Sequence, residues 1–442
     1  MPPFAELHRV RSKNCFEILL NENNEVLRED EYNAILVGLR LEEDITDSME
    51  ELEGLAEAAG ASVLGQMIQA ADRPNTATLI GKGKVEELAE LVKAMEADMV
   101  VFNDELTGMQ LRNLEDALGV RVIDRTILIL DIFASRASSR EGKLQVELAQ
   151  LKYRLPRLTG FGKSLSRLGG GIGTRGPGEK KLETDRRHIE RRMTDIKAEL
   201  SQLKNTRSVQ RSRREKNRIP VVALIGYTNS GKSALMNRLL SVAERDGKTV
   251  FEKDMLFATL DVQQRKVDLE NGRQFILIDT VGFVSKLPHS LVEAFKATLE
   301  EVTYADLLLH VVDASYENYG FHIQVTDKVM EEIGAGNKEK ILVFNKIDLP
   351  HDHIIPEAGR ENIEISAKEG TNLDALIEKI EEKIFGDMVD AKFLIPYDRG
   401  DLTSYLCEEA EVKATDYREN GTYLEVSLKE ADYRRMKEYE VI

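Results

Sequence analysis

The chain has 442 residues and a net charge of −17, and 42% of its residues are hydrophobic and 31% charged, which is typical of a globular protein of two to four domains. Its two cysteines, Cys15 and Cys407, lie far apart, which argues against a disulfide framework and indicates a reducing compartment. No apolar run approaches the roughly 18 residues of a membrane helix, and no secretory signal is apparent, so we expect a cytoplasmic protein without a membrane partner.

Charge is segregated along the sequence. Residues 131–218 contain 23 Lys and Arg against 10 Asp and Glu, a net charge of +13, and the rest of the chain carries −30. Such asymmetry indicates an anionic partner for this one segment. A solvated helical face is the alternative interpretation of the same charge run.

The first 130 residues predict a small α/β domain, in which residues 1–30 are expected to form a polar, frayed extension. Strand-like runs and helical apolar spacings alternate at 34–39, 49–59, 62–68, 85–95, 99–102, 107–118 and 120–123. This alternation indicates a parallel sheet covered by helices. The turn Gly81–Lys84 lacks the upstream glycine of a phosphate loop, so an ordinary turn into a helix is expected there.

The basic segment, residues 131–218, predicts an antiparallel helical hairpin. Apolar residues recur at spacings of three and four in two stretches: Leu144, Leu148, Leu151, Leu155 and Leu158, and then Leu182, Ile189, Met193, Ile196, Leu200 and Leu203. Each stretch predicts an amphipathic helix with a narrow apolar stripe. The glycine-rich stretch Gly169–Glu179 between them excludes regular structure. Residues 160–180 are therefore expected to form a long loop at the tip of the hairpin, where loops are usually functional or disordered.

The third segment, residues 219–385, opens with the most specific motif of the chain. An apolar run, Val221–Ile225, leads into Gly226-Tyr227-Thr228-Asn229-Ser230-Gly231-Lys232-Ser233, which has the phosphate-loop pattern. Backbone N–H groups of such a turn and the following helix N-terminus would bind the phosphates. Lys232 would reach the β- and γ-phosphates, and the Ser233 hydroxyl would bind Mg²⁺.

Two further motifs follow apolar strands and indicate the type of nucleotide. The first, Asp279-Thr280-Val281-Gly282, would hold Mg²⁺ through water at Asp279 and offer the Gly282 N–H to the γ-phosphate. The second is Asn345-Lys346-Ile347-Asp348. A carboxylate at Asp348 can accept both N1–H and N2–H of guanine, whereas adenine would leave its charge unpaired. Together with the phosphate loop, these motifs predict a Mg²⁺-dependent GTPase.

Other residues are expected to complete the nucleotide site. Lys346 would lie along the base plane, and Ser366-Ala367-Lys368 would give guanine O6 a backbone N–H. In the stretch Phe257–Asp261, Thr259 would add its hydroxyl to Mg²⁺ only when a γ-phosphate is present, which predicts a switch dependent on GTP. Thr228 and Thr280 are rival candidates for that role, but the spacing favours Thr259.

The residue after Gly282 is Phe283, where many small GTPases have a glutamine that orients the attacking water. A phenyl ring has neither a donor nor an acceptor for that task. The sequence thus predicts slow turnover by the isolated chain, with a partner completing the site. Lys232, Thr259 and Gly282 remain the candidate catalytic residues.

The last segment, residues 386–442, predicts a small α+β module. A strand at 392–397, a helix at 401–410 and a hairpin across 412–428 follow one another in a βαββ order. The predicted fold class is therefore a multidomain α/β protein. Its P-loop GTPase domain is preceded by a small parallel α/β domain with a helical hairpin, and followed by a small α+β domain.

With these motifs placed, the chain resembles the HflX family of ribosome-associated bacterial GTPases. The resemblance covers residues 30–385 and rests on four stretches: Thr78–Leu88, the tip Gly169–Glu179, Phe257–Asp261 and Asp279–Phe283. The match at Asp279–Phe283 includes Phe283, the hydrophobic residue that stands in place of the glutamine. The terminal module is similar to a C-terminal domain that some members carry.

The resemblance implies binding to the large ribosomal subunit in the GTP state and dissociation of stalled or vacant ribosomes, especially under heat or antibiotic stress. A thin basic hairpin is compatible with entry into a crowded RNA surface, where phosphate contacts would make binding sensitive to salt. Arg175, Arg167 and Lys163 are the candidate contacts with ribosomal RNA, and Arg175 could stack on an exposed base. Off the ribosome the chain is expected to be monomeric.

Two other functions remain open at this point. The chain could be a signalling GTPase whose hairpin binds a protein effector. It could also be a nucleotide-dependent RNA-remodelling protein, because related proteins have been linked to ATP use through the N-terminal unit. That unit has no phosphate loop of its own, which argues against a second motor site.

Overall fold

The computed structural model describes residues 32–158, 177–217, 219–243, 263–269, 273–286, 299, 301–351, 360–386 and 388–441. Within these residues, three separate sheets follow one another along the chain. The first two are mainly parallel and the last is antiparallel. The predicted fold class is confirmed.

The N-terminal sheet consists of four parallel strands in the order β2-β1-β3-β4. The strands are β1 (Tyr32–Arg40), β2 (Ala61–Ala70), β3 (Met99–Phe102) and β4 (Arg121–Asp124), and the helices are α1 (Thr46–Ala58), α2 (Lys82–Ala94), α3 (Gly108–Leu118) and α4 (Arg125–Arg136). The apolar residues of α1 and α4 pack on one face of the sheet, and those of α2 and α3 pack on the other. A sheet covered on both faces explains why its strands read as continuous apolar runs.

Helices α5 (Arg140–Leu158) and α6 (Pro177–Asn217) form the hairpin. The prediction of a loop up to residue 180 is wrong at its end, because α6 already begins at Pro177, a residue type favoured in the first turn of a helix. Buried Ile196 of α6 packs with Leu144 and Leu148 of α5, as the spacing of apolar residues predicts. Arg192 forms an ion pair with Glu147 at 2.6 Å, and Arg140 forms one with Glu199 at 2.8 Å. The earlier residue of α5, Arg140, thus pairs with the later residue of α6, Glu199. The two helices are therefore antiparallel.

The end of α5 is fastened to the carboxyl edge of the N-terminal sheet. The Arg157 guanidinium donates to the Leu106 carbonyl at 2.7 and 3.2 Å and stacks 3.3 Å above the Tyr153 ring. The Tyr153 hydroxyl in turn donates to Asp124, which is fully buried and also accepts from the Leu106 N–H. The helix that leads into the predicted tip is therefore fixed at its last turn.

The central sheet has the order β10-β9-β8-β5-β7-β6, and β6 is its antiparallel strand. Its elements are β5 (Val221–Ile225), α7 (Lys232–Ala243), β6 (Gln263–Asp268), β7 (Gln274–Asp279), β8 (Leu307–Asp313), α8 (Tyr319–Glu332), β9 (Lys340–Asn345), β10 (Asn362–Glu364) and α9 (Leu373–Phe385). Because β5, β7, β8 and β9 are parallel, their carboxyl ends lie at one edge, where ligands of open α/β sheets bind.

The C-terminal sheet is antiparallel in the order β11-β13-β12. Its elements are β11 (Met388–Ile395), α10 (Gly400–Glu409), β12 (Glu411–Arg418), β13 (Gly421–Lys429) and α11 (Glu430–Met436). Phe393, Leu406 and Leu424 are fully buried in its core. This is the βαββ order expected from the sequence, extended by α11, which the sequence reading did not include.

Helix α4 crosses residue 130, where the first predicted domain was expected to end. The domain boundaries remain predictions. None of the described helices is both long enough and apolar enough to cross a membrane.

Candidate nucleotide-binding site

The predicted phosphate loop connects β5 to α7 in a conformation that depends on its glycines. Gly226 has φ +145°, and a Cβ there would lie 2.2 Å from the Val311 carbonyl oxygen. Gly231 has φ +90°, and its Cβ would lie 2.2 Å from Nδ2 of Asn345. Any side chain at either position would therefore displace a neighbouring strand end. The loop folds tightly against β8 and β9 because both positions are glycine.

Lys232 lies within this loop and is 7% exposed. Its ammonium group donates to the carbonyls of Tyr227 at 2.6 Å and Gly226 at 3.1 Å. Burial lowers the pKa of Lys232 to about 8, against the opposing effect of the Asp279 carboxylate. The site thus holds a desolvated cation whose charge a bound phosphate would stabilise.

Ser233 and Asp279 bring together the oxygen atoms expected to hold Mg²⁺. The Ser233 hydroxyl donates to Oδ2 of Asp279 at 2.6 Å, and Asp279 is fully buried at the end of β7. A hydroxyl and a carboxylate are hard oxygen donors of the kind Mg²⁺ prefers. The residues present therefore fit this ion, which would neutralise phosphate charge when bound.

Two buried hydroxyl groups of the loop indicate room for a polar ligand. Thr228 is 6% exposed and Ser230 is 1% exposed, yet neither hydroxyl has a hydrogen-bond partner among the residues that the structure describes. A buried hydroxyl without a partner is costly. Phosphate oxygens are acceptors that could satisfy such groups, so the loop fits the nucleotide predicted for it.

Asn345 joins the two ends of the site. Its amide nitrogen donates to the Ser230 carbonyl at 2.9 Å, and its side-chain oxygen accepts from the Ala367 N–H at 2.9 Å. It is 2% exposed. The side chain thus fixes the distance between the phosphate loop and the segment proposed to bind guanine O6, in addition to any contact with the nucleotide.

The carboxylate of Asp348 is exposed at the other end of the site and is held by one neighbour. Ser366 donates its hydroxyl to Oδ1 of Asp348 at 2.6 Å, and this hydrogen bond lowers the pKa of Asp348. The Lys346 ammonium lies 2.8 Å from Oδ2 of Asp313. The structure therefore brings the predicted guanine-binding residues Lys346, Asp348 and Ser366 together, with Lys368 exposed beside them.

The segment after Asp279 runs along the phosphate loop. The Thr280 hydroxyl donates to the Leu224 carbonyl at 2.6 Å, so this side chain is committed to the neighbouring strand. Gly282 passes so close to the loop that a Cβ would lie 2.8 Å from the Thr228 Cα and 3.0 Å from the Lys232 Nζ. Val281 packs into the core of the N-terminal domain. The Gly282 backbone thus lies close to both the phosphate loop and the Lys232 ammonium group.

Phe283 does not face the site. Its side chain is 2% exposed and packs with Ile225, Ile278 and Leu299 beneath the central sheet. Its backbone exchanges hydrogen bonds with the loop, donating to the Gly226 carbonyl and accepting from the Thr228 N–H. The position that often carries a catalytic glutamine is therefore occupied by a core residue.

Five predicted functional residues lie outside the described residues. They are Phe257 and Thr259 between α7 and β6, and Lys163, Arg167 and Arg175 in the tip. Their roles remain predictions.

The sequence reading missed a polar cluster that ties the N-terminal domain to the phosphate loop. Buried Arg125 binds Glu51 and donates to the Ser285 hydroxyl at 3.0 Å. Ser285 also donates its N–H to the Tyr227 hydroxyl at 2.6 Å, and the Tyr227 hydroxyl donates to Glu51. We call Glu51, Arg125, Tyr227 and Ser285 the domain clamp. One signal in the sequence pointed to this cluster. Asp124 and Arg125 are two adjacent charged residues within the largely apolar stretch 122–130.

Four family models match consecutive parts of the chain. They are described as GTP-binding GTPase N-terminal (residues 46–134), GTP-binding GTPase Middle Region (136–214), 50S ribosome-binding GTPase (221–346) and HflX C-terminal domain (356–438). A GTPase HflX of Caldanaerobacter subterraneus is 53% identical over 397 residues, covering 90% of this chain and 91% of the relative. The chain belongs to the HflX family. It is a GTPase with a GTP-binding site.

More distant members match over similar lengths. GTPase HflX of Alkalihalophilus pseudofirmus is 46% identical over 90% of this chain and 93% of the relative. GTPase HflX of Escherichia coli is 39% identical over 91% of this chain and 95% of the relative. Among solved structures, a GTP-binding protein from Sulfolobus solfataricus in complex with GDP is 26% identical over 80% of this chain and 98% of its own, with a TM-score of 0.43.

Replacing Asp348 with asparagine should change base preference. The asparagine amide can still accept guanine N1–H, but its N–H₂ would face the guanine amine, so GTP affinity should fall by about two orders of magnitude. Xanthosine triphosphate has an oxygen at that position and should bind the variant better than GTP does. Titration of both nucleotides against Asp348→Asn tests this, with exposed Glu369→Gln as the control. Equal GTP affinity in the variant and the unmodified chain would contradict the proposed role.

The affinity for GTP should fall above pH 8. The pKa of Lys232 is about 8 in the empty loop, and bound phosphates would raise it. Below this pH the lysine is already charged and affinity should be flat. Above it, binding requires uptake of a proton, so the association constant should decrease by up to about tenfold per pH unit. Calorimetry of GTP binding from pH 7 to about pH 9 measures this. A constant affinity for GTP over this range, without proton uptake, would contradict the prediction.

Replacing Phe283 with glutamine should not create a catalytic glutamine, because the side chain at this position points into the core. The variant would bury an amide and lose aromatic packing, whose removal typically costs about 3–5 kcal/mol. We expect lower thermal stability and turnover still below about 1 s⁻¹ without a partner. Single-turnover and steady-state assays check this. A rise into the range of about 1–100 s⁻¹ would show that only the missing glutamine limits hydrolysis.

Proposed function

We propose that this GTPase binds the large ribosomal subunit in its GTP state and dissociates stalled or vacant ribosomes into subunits. The observation that carries the proposal is the position of the basic helical hairpin. It is attached to the N-terminal domain, which binds the segment after Asp279 through the domain clamp. The family model for residues 221–346, described as a 50S ribosome-binding GTPase, supports the choice of partner.

The hairpin has the charge expected of an RNA-binding arm. Several of its cations are engaged in ion pairs within the hairpin, as Arg192 is with Glu147 and Arg187 with Glu183. Arg191 and Lys197 are exposed and form no ion pair with any described residue. An excess of cations on a long, thin element favours contacts with RNA phosphates over the reading of bases.

A continuous set of polar contacts connects the nucleotide site to the base of this arm. Ser285 binds Arg125, and Arg125 donates to Asn103 at 2.9 Å. In the same loop, Asp104 forms an ion pair with Lys286 at 3.0 Å. The next two residues in that loop, Glu105 and Leu106, bind Arg157 at the end of α5.

This connection gives a physical basis for dependence on the nucleotide. The γ-phosphate is expected to meet the Gly282 N–H, three residues before Ser285. A change in the backbone there would alter the domain clamp and the loop that holds α5. The orientation of the hairpin would then differ between the GTP and GDP states, as proposed for binding and release of the ribosome.

Association with large subunits should depend on the nucleotide. We expect the chain to co-sediment with purified large subunits in the presence of a non-hydrolysable GTP analogue, and much less with GDP. Binding should weaken steeply with salt, because phosphate contacts release counterions. Equal binding with the two nucleotides, or no binding with either, would refute the proposal.

Changes in the tip should separate ribosome splitting from nucleotide binding. Replacing Arg175 with alanine, or shortening the predicted tip within residues 160–176, should impair dissociation of ribosomes into subunits. GTP affinity should remain within about twofold, because neither change touches the described nucleotide site. Light scattering of ribosomes and GTP titration give the two readouts. Loss of GTP binding in the variants would instead indicate a structural role for the tip.

A further inference from the structure

A cavity of about 550 Å³ borders the phosphate loop at Thr228 and Asn229. One wall is the face of α1 that carries Asp47, Glu50, Gly54 and Glu57, at positions that share one side of a helix. The opposite wall comes from the end of β8 and the start of α8. We call this cavity the acidic pocket. It extends from the GTPase domain to the N-terminal domain.

The acidic pocket carries more negative charge than its surroundings neutralise. Its lining includes the carboxylates of Asp47, Glu50, Glu51, Glu57 and Asp313, and no lysine or arginine of the described residues. Glu51 binds Arg125 and Asp313 binds Lys346. The side-chain carboxylates of Glu50 and Glu57 are exposed and have no hydrogen-bond or ion-pair partner within the described part of the chain. At least two carboxylates therefore face the cavity without a counterion.

Aromatic rings form the rest of the wall. His322 lies between the rings of Tyr227 at 3.7 Å and Tyr316 at 4.3 Å, in a continuous stack. Burial and the charges of Asp47, Glu50 and Glu51 raise the pKa of Tyr316 to about 12, which is consistent with a strongly negative potential in the cavity. Carboxylates beside aromatic faces are the usual surroundings of a bound organic cation.

Two buried polar atoms on the wall of the acidic pocket also indicate a ligand, and one of them, the Thr228 hydroxyl, borders the phosphate site as well. The side chain of Thr228 lines the acidic pocket and is 6% exposed, and its hydroxyl has no partner among the described residues. His322 likewise has a buried Nδ1 without a described partner. Buried polar atoms of this kind are normally satisfied. Because Thr228 belongs to the phosphate loop and also lines the acidic pocket, a ligand in the pocket could reach from the carboxylates to the phosphate loop.

The position of the acidic pocket creates an electrostatic requirement. Unpaired carboxylates beside a phosphate site repel the anionic nucleotide unless a cation lies between them. Phe283 stands at the position that often carries the water-orienting glutamine and is buried in the core, so it does not complete hydrolysis. In related phosphoryl-transfer sites, a guanidinium group supplied by a partner stabilises the charge of the transition state.

We propose that the acidic pocket receives an arginine side chain from a protein of the large ribosomal subunit and places its guanidinium group beside Thr228 and Asn229. Glu50 and Glu57 bind the guanidinium, the stacked rings of Tyr316 and His322 cover it, and its outer N–H groups face the phosphates. The inference rests on the proposed function and identifies the chemical group with which the partner completes the site.

The test compares stimulation of turnover, defined as the ratio of rates with and without saturating large subunits. Glu50→Gln combined with Glu57→Gln removes both unpaired charges. This ratio should fall by about tenfold or more, because a held guanidinium typically contributes far more than that to phosphoryl transfer. Glu86→Gln combined with Glu90→Gln, two exposed positions of α2, makes the same change of net charge and should keep the ratio. Equal stimulation of both double variants overturns the inference.

A second measurement uses the isolated chain and methylguanidinium as a probe. Methylguanidinium chloride should raise turnover in a saturable way, compared with sodium chloride at equal ionic strength, and the Glu50/Glu57 double variant should not respond. The absence of a saturable response, or an equal response in the variant, contradicts the inference. A third outcome is that potassium stimulates turnover, methylguanidinium does not, and the double variant loses the response to potassium. The pocket would then bind a metal ion, and the inference that it receives an arginine would be wrong.

The two proposals can fail separately. If large subunits neither bind the unmodified chain nor stimulate its turnover, the proposed function fails, and the methylguanidinium measurement alone decides whether the pocket accepts a guanidinium. If large subunits do stimulate the unmodified chain but the Glu50/Glu57 double variant responds equally, the proposed function stands and the inference about the acidic pocket fails.

Discussion

The arrangement of the molecule depends on the buried domain clamp between Arg125 and Glu51 of the N-terminal domain and Tyr227 and Ser285 of the GTPase domain. A buried guanidinium is costly unless its charge is paired. The two terminal nitrogens of Arg125 have partners, whereas its Nε has none among the described residues, so loss of a further partner would be strongly destabilising. Tyr227 belongs to the phosphate loop and Ser285 to the segment after Asp279. The clamp therefore joins the N-terminal domain, to which the hairpin is attached, to the two parts of the site that are expected to contact the γ-phosphate.

Much of the fold could be predicted from the sequence, because the apolar patterns of the strands and hairpin are strong and local. Met99–Phe102 was placed at its observed bounds, and the Leu144–Ile196 seam follows from helical spacing. The roles of Gly226, Lys232 and Asp348 are predicted because the chemistry of phosphate and guanine dictates their residue types, and these roles remain predictions. The domain clamp could not be predicted, since it joins residues as far apart as Glu51 and Ser285. No local pattern specifies which distant surfaces meet.

The structure also changes the interpretation of residues that the motifs had identified. Asn345 connects the phosphate loop to Ala367, so it stabilises the site in addition to any contact with the base. Tyr227, a variable position in the phosphate-loop pattern, contacts the N-terminal domain through its hydroxyl and His322 through its ring. Phe283 packs in the core, so its position differs from that of a water-orienting glutamine in the direction of the side chain as well as in residue type.

The central claim is that the domain clamp transmits the nucleotide state to the hairpin. Glu51→Gln combined with Arg125→Met removes the buried charge pair together, which limits the cost of an unpaired charge. The deciding quantity is the affinity for large ribosomal subunits with a GTP analogue divided by that with GDP. The account predicts that this ratio falls towards one in the double variant, while GTP still binds. A ratio equal to that of the unmodified chain would contradict it.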